Sequence, residues 1–557
     1  MKKIHFFYLL IVAIVVSISV SQLNFDNPYS RSINSDGKGY YAYLPAMFIY
    51  NDFTFSFVDE AEAKYYPQDG SHAKLFLEKQ PNGTAVNKYF PGVALFYLPF
   101  FAFASLLSAI FGLPVDGYSI LFQWGVSVAH WFYLFGAFLL LGDAFNNLKF
   151  KPRAIITGLI AITFATNLMY YVVYDFTVTH LFGFFGCSAL IWCLVNYQLS
   201  RSFRYVGIFM GVLAILLIVR PTNLMMLFIV PLLLEWKSIL KLVNPKTWFV
   251  KYRWIYLAIA SFILFSAPLL WKIQTGNWLV YSYGEEGFNF LQPHLFDFLF
   301  SYEKGWLLWS PVISVMLILA GLYFYRTQKI RGYIFFISIL GITYIFSCWW
   351  IWTFGLAFGQ RPMIDFYPII LLGFIGFLNT LKTKAYFLLA LPFVAVNCIQ
   401  TYQFHEGILF RNTSNGKAYW SHFLKLKKDP PRVIVSNEWK KSSSNSDHSE
   451  AILNKNNPFS KAIEIGILPK NTKVVINCLL SGENKKTETQ LVLSDSTGSF
   501  YQVHYLMGDV YNAERELQYS FEINQKITTP LRCYFWNPNE TYPVLLKQFE
   551  IFVYQKK

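Results

Sequence analysis

Long apolar blocks separated by short polar connections dominate the first four hundred residues. After Lys2 and Lys3 comes IHFFYLLIVAIVVSISV, and further blocks fall near 92–112, 118–142, 154–173, 181–198, 205–219, 222–236, 254–271, 306–325, 332–350, 363–380 and 385–402. Most approach the roughly 20 residues that an α-helix needs to cross about 30 Å of hydrocarbon. The pattern predicts a polytopic α-helical membrane protein over 1–403. The first block reads as a retained signal anchor, because SVSQ matches an A-x-A cleavage site poorly. Beyond 403 the pattern changes. KVVINCLL (473–480), QLVLS (490–494), FYQVHYLM (500–507), LQYSFEI (517–523), LRCYFW (531–536) and VLLKQFEIFVY (544–554) are short, β-branched and aromatic, with turn sequences such as SGEN and NPNE between them. They predict an antiparallel, jelly-roll-like β-sandwich over 451–557. The connecting segment 404–450 includes a Ser-rich polar stretch, 436–448, that reads as a linker. No repeat of 20 to 50 residues is present.

Charge supplies the orientation. With the N-terminus in the cytoplasm and 92–112 taken as a re-entrant or surface-lying helix, the short cytoplasmic pieces hold 17 Lys and Arg. The opposite short loops hold four, Arg220, Lys272, Lys304 and Arg361. Basic residues favour the cytoplasmic side, and letting 92–112 cross would invert every later loop. The prediction is about eleven spans, with the first loop, 23–117, and everything after about 403 outside the cytoplasm.

Composition then excludes whole classes of function. Of 557 residues, 55% are hydrophobic and 14% charged, where soluble chains carry about 25% charged, so a soluble enzyme is ruled out. The formal net charge of +15 forms no nucleic-acid patch: the tail 404–557 holds 20 of the 47 basic residues beside 15 of the 32 acidic ones, and the rest punctuate apolar blocks. The lipid bilayer is the expected partner, and nucleic acid is not. Cys187, Cys193, Cys348 and Cys398 lie in apolar blocks as small hydrophobes. Cys478 and Cys533 lie in the tail, and spacing alone leaves their pairing open.

Ionisable groups at one end of the spans are the candidate chemistry, since a charge near lipid is costly and persists where it has a partner or a cavity. Asp36 stands in SDGKGYY, where it serves either its own turn or catalysis. Asp175 stands in a short loop with no basic neighbour, YDFTVTH, which ends at His180. Carboxylate and imidazole are ordinary metal ligands, so Asp36, Asp175 and His180 are the residues from which a divalent-cation site would be built; a histidine satisfied within its loop is the competing reading. Lys88 in NKYFPG, Arg220 in RPTN and Arg361 in GQRPMID supply cations on the same side. An Arg fork matches phosphate bidentately and Lys adds a point charge, so the set suits an anionic headgroup; pairing of Arg361 with Asp365 is the alternative. Tyr40, Tyr41, Tyr43, Trp349, Trp350 and Trp352 fit an interfacial belt.

In order, SDGKGYYAYLPA, NKYFPGVALFYLPFF, YDFTVTHLFGFF, VRPTNLM, EKGWLLWSPV and WWIWTFGLAFGQRPMIDFYP resemble bacterial membrane glycosyltransferases of the GT-C superfamily. These are relatives of the dolichyl-phosphate-mannose protein mannosyltransferases and the aminoarabinose lipid A transferases. The resemblance spans about the first three quarters of the chain. It implies a bacterial inner-membrane enzyme with a periplasmic active face, inverting transfer from a polyprenyl-phosphate-linked sugar to an extracytoplasmic glycan, lipid or protein. It implies Asp36 as general base or acceptor-orienting carboxylate, Lys88 as a donor-phosphate contact, and Asp175 with His180 as a second acidic motif. That motif reads Glu-Pro-Ser-x-Ser-His in relatives; here Asp replaces Glu and Phe replaces Pro. A lipid-linked glycan transporter or flippase and a glycan polymerase or ligase are the alternatives; the first lacks its internal repeats and midplane charges here.

Overall fold

The computed structural model describes residues 2–22, 32–66, 76–80, 83–176, 178–250, 252–355, 358–382, 387–409, 416–427, 439–447, 450–454, 457–482, 489–495, 500–506, 515–525, 527–537 and 543–556. The chain divides into two units, one helical and ending at Thr401, the other running from Tyr402 to the C-terminus.

In the helical unit, seven helices among the described residues are long and apolar enough to cross a membrane: Ile4–Ser21, Gly92–Ile110, Ile120–Asn147, His180–Ser200, Trp254–Thr275, Lys329–Ser347 and Arg361–Thr380. Shorter apolar helices cover Pro152–Phe164, Arg204–Val219, Pro221–Leu233 and Val312–Thr327. The protein is a multi-pass membrane protein.

Several blocks that read as single spans are broken, each for a local reason. The block 154–173 divides into Pro152–Phe164 and Leu168–Val173. The Asn397 amide donates to the carbonyls of Phe164 (3.0 Å) and Thr166 (2.8 Å), satisfying acceptors that a continuous helix would have used itself. The block 306–325 breaks before Pro311, which has no N–H to continue the turn. The block 222–236 starts as a 3₁₀ helix, Pro221–Phe228, and becomes α-helical only over Ile229–Leu233.

The first loop is ordered where described. A helix over Asp36–Pro45 runs into a π-turn, Ala46–Tyr50, and Val58–Tyr65 follows. Strands β1 (Leu77–Lys79) and β2 (Ala85–Asn87) then form an antiparallel hairpin leading to Gly92–Ile110. Residues 23–31, 67–75 and 81–82 of that loop lie outside the described residues.

The second unit is a β-sheet region. Its strands are β3 (Trp439–Asp447), β4 (Ala451–Leu453), β5 (Ile463–Gly466), β6 (Thr472–Gly482), β7 (Gln490–Asp495), β8 (Tyr501–Tyr505), β9 (Arg515–Ile523), β10 (Leu531–Trp536) and β11 (Val544–Lys556). One antiparallel sheet runs β5-β10-β7-β8, the other β3-β11-β6-β9 with β4 also on β11. Along β10 the residues Leu531, Cys533 and Phe535 are buried and those between are not, the period of two that a half-buried strand requires. Their side chains join Val474, Ile476, Leu517 and Phe549 of the other sheet in one apolar cluster, where the Phe535 and Phe549 rings meet edge to face at 4.9 Å. Each such large side chain contributes about 1.5–3 kcal/mol on burial. Cys478 and Cys533 are free thiols on different sheets.

The Ser-rich stretch read as a linker is, over 439–447, strand β3, paired antiparallel with β11 and with one register shift, which skips Ser442; residues 436–438 and 448 lie outside the described residues. Its side chains face outward and are polar for that reason. A ladder made of backbone amides and carbonyls leaves no trace in such a composition.

Candidate functional site

A cavity of about 500 Å³ in the helical unit gathers five of the six candidate residues: Asp36, Lys88, His180, Arg220 and Arg361 all line it. They come from five separate segments. Asp36 opens the helix Asp36–Pro45, where a carboxylate complements the positive end of the helix. Lys88 follows β2, its N–H donating to the Phe76 carbonyl at 2.7 Å. His180 begins one long helix, Arg220 is the extended residue after Val219, and Arg361 opens a 3₁₀ turn before Pro362.

The local sequence explains how these segments approach. Gly39 packs on the Tyr89 ring, where a β-carbon would sit 2.4 Å from a ring carbon. Its carbonyl accepts from the Asn87 amide at 2.8 Å, and the same Asn87 side chain accepts from the Tyr89 N–H at 3.0 Å. Hence SDGKGYY and NKYF, 50 residues apart, form one wall. Lys38 turns away from the cavity into a buried pair with Glu62 at 2.9 Å.

The charges are paired in a way that the sequence did not foretell. Arg361 meets Asp36 at 3.0 Å, and the Tyr89 hydroxyl donates to the other carboxylate oxygen of Asp36 at 2.8 Å. Asp365, the alternative partner for Arg361 four residues on, meets His180 Nδ1 at 2.8 Å. One guanidinium nitrogen of Arg220 lies 3.3 Å and 3.2 Å from the two ring nitrogens of His180, so the guanidinium rests against the imidazole. Lys88 is hydrogen-bonded to Glu286, and its ammonium faces the rings of Tyr89 at 5.8 Å and Tyr283 at 5.6 Å. Thr222, also on the lining, has a hydroxyl buried without a hydrogen-bond partner among the described residues. Burial pushes the phenols of Tyr40 and Tyr89 well up and that of Tyr283 to about 12, which keeps all three as neutral donors. Phe90, Trp271, Phe346, Trp349 and Phe354 complete the wall, giving a mainly apolar cavity with convergent polar groups. No protein-family model, curated protein or solved structure matches this chain.

Asp175 does not line the cavity. It follows the helix Leu168–Val173, with its N–H on the Tyr170 carbonyl at 3.3 Å. Thr177 of the same loop lies outside the described residues. Asp175 is thus apart from Asp36 and His180, and among the described residues no group of three or more His, Cys, Asp or Glu converges. Asp36 is engaged by Arg361, and His180 has a carboxylate on one side and a guanidinium against its ring.

Sequence reasoning missed Glu286, Asp365 and Tyr283. Asp365 stands in the sequence one turn after Arg361, which points to that arginine and not to His180. Glu286 and Tyr283 stand in YSYGEEGF, a loop between apolar blocks whose one visible signal was a pair of adjacent carboxylates in an otherwise acid-poor region.

Proposed function

We propose that this protein is an integral membrane glycosyltransferase of the GT-C type, moving a sugar from a polyprenyl-phosphate-linked donor to an extracytoplasmic glycan, lipid or protein. The observation that supports the reading is one cavity lined by a carboxylate, Asp36, and three cations, Lys88, Arg220 and Arg361. On this reading the seven long and four shorter apolar helices, with the helix Phe387–His405, supply about eleven crossings, and Gly92–Ile110 lies along the membrane surface. The cavity faces the periplasm of a bacterial inner membrane, and the two sheets of the C-terminal unit form a periplasmic sandwich in a cell-envelope glycan pathway.

The donor phosphate sits among Arg220, Lys88 and the unpartnered Thr222 hydroxyl, competing with Glu286 for the Lys88 ammonium. The acceptor hydroxyl attacks the anomeric carbon opposite the phosphate. A carbon–oxygen bond to the acceptor forms, the bond to the phosphate oxygen breaks with its electron pair leaving on phosphate, and the acceptor proton passes to Asp36. Arg361 and Tyr89 hold the Asp36 carboxylate in place, and the cations stabilise the charge that grows on the leaving phosphate. Configuration inverts.

The test is retention of a purified polyprenyl-phosphate sugar by the detergent-solubilised protein, followed by transfer to an envelope acceptor. Arg220→Gln should weaken donor retention by about tenfold to a hundredfold, the worth of hydrogen bonds to a charged group. Unchanged retention in Arg220→Gln and Lys88→Gln together would remove the anion site. Transfer surviving in Asp36→Asn with Asp175→Asn would favour a polymerase or ligase over this reading, and donor retention with no transfer in the unsubstituted protein would favour a transporter.

A further inference from the structure

Away from the cavity, the segment between Leu234 and the helix Trp254–Thr275 has an unusual surface. Its helix Trp236–Val243 exposes Trp236 (67%), Leu240 (55%) and Val243 (72%). These stand four and three residues apart, so they form one stripe along one face. The opposite face is already used: the Ser238 hydroxyl is held by the Arg201 guanidinium at 2.7 Å, and Ile239 and Leu242 pack on the core. The residues that follow are folded back onto this helix. The Thr247 hydroxyl donates to the Lys241 carbonyl at 2.7 Å, the Trp248 indole to the Leu242 carbonyl at 2.8 Å, and the Arg253 guanidinium to the Thr247 carbonyl at 3.1 Å. The segment is thus a preformed platform, and it carries more exposed large rings at Phe249 (76%), Tyr252 (75%) and Trp254 (50%).

We propose that residues 236–250 and 252–254 dock on the headgroup region of an anionic lipid leaflet. Two observations select that occupant. The platform is continuous with the apolar helix Pro221–Leu233 on one side and with a helix long enough to span, Trp254–Thr275, on the other, which places it where a leaflet begins. Its charge is also one-sided: Lys237, Lys241 and Lys246 are exposed beside the stripe, with Arg253 over the Phe203 ring at 4.2 Å, against one carboxylate, Glu235. An apolar stripe flanked by lysines and ended by tryptophans matches a helix lying in the interface plane. The inference is independent of the cavity and its chemistry.

The full chain is placed in nanodiscs of phosphatidylcholine alone and of an equal mixture of phosphatidylcholine and phosphatidylglycerol. A spin label goes on Leu240→Cys, and the unsubstituted chain, whose six cysteines are buried or half-buried, is the labelling control. The label should be relaxed by oxygen and not by a water-soluble nickel chelate. Amide exchange across 236–250 and 252–254 should be slower in the mixed discs at low salt, by about fivefold for each lysine engaged. The Lys237→Gln, Lys241→Gln, Lys246→Gln variant should lose that difference while its label stays out of water. A label open to nickel in the mixed discs, equal exchange in the two membranes, or a triple variant that keeps the whole effect overturns the proposal. Protection that needs an added soluble protein overturns it too, in favour of a protein dock.

Discussion

The two units bury their polar residues differently. The helical unit encloses Lys38, Glu62, His130, His180, Lys304 and Asp365, each at most 9% exposed. Among the described residues of the β-sheet unit, Asp495 is the one Asp, Glu, Lys, Arg or His so buried; it accepts from the Thr529 hydroxyl at 2.7 Å, and the other buried polar side chains there, such as Thr472, Thr489 and Asn537, are neutral. Withdrawing a charge from water is costly, and a fold that needed only stability would fill those positions with apolar side chains. On the proposed function, binding or catalysis explains the cost at His180, which lines the cavity with Asp365 behind it, whereas packing explains the Lys38 and Glu62 pair, which faces away from the cavity, and Asp495.

Asp36→Asn against Asp495→Asn breaks or upholds that contrast with the largest expected effect. On the proposed function, loss of the Asp36 carboxylate should lower transfer by about a hundredfold to ten thousandfold, and Asp495→Asn should leave turnover unchanged while lowering thermal stability. A turnover loss of similar size in both would end the distinction. Next comes Phe535→Ala, which empties the contact with Phe549 and should cost the β-sheet unit about 3–5 kcal/mol, read by denaturant unfolding followed through amide exchange in β6 and β10. Protection in the helices should not change.

Gly183→Ala sharpens the helical side. A β-carbon there would fall 2.5 Å from the Asp365 carboxyl carbon, pushing that side chain off His180. The expected loss is about 1–3 kcal/mol in a detergent melt, with weaker donor retention through the displaced Arg220. A neutral melt with unchanged retention would show that the His180 and Asp365 contact positions nothing.

The smallest effect is a pH response in the first loop. Burial opposes ionisation of Asp52, but hydrogen bonds from the hydroxyls and amides of Ser56 and Thr54 outweigh it and hold its carboxyl down to about 2. A folded value below the unfolded one of about 3.9 stabilises the turn above that pH, and the gain disappears as pH falls toward 2. The protection of the Thr54 and Ser56 amides, measured against their intrinsic exchange rate at each pH, should therefore fall over that interval, and Asp52→Asn should abolish the step.

Apolar block length and the positions of Pro, Gly and polar residues were enough to expect a multi-pass helical chain with β-strands in its tail, because spans and strands are set by local hydrophobicity and period. The strand β3 was hidden, since its outward side chains report solvent and its ladder is backbone alone. The candidate cations and Asp36 were visible as charges beside apolar blocks, but their partners were not. Arg361 meets a carboxylate 325 residues away in preference to Asp365, four residues on, and Lys88 meets Glu286 across 198 residues. Sequence alone determined which residues are too costly to leave in lipid. Only the tertiary structure decided whom each one meets, because an ion pair needs atoms within about 4 Å and that distance is set by helix packing across the whole unit.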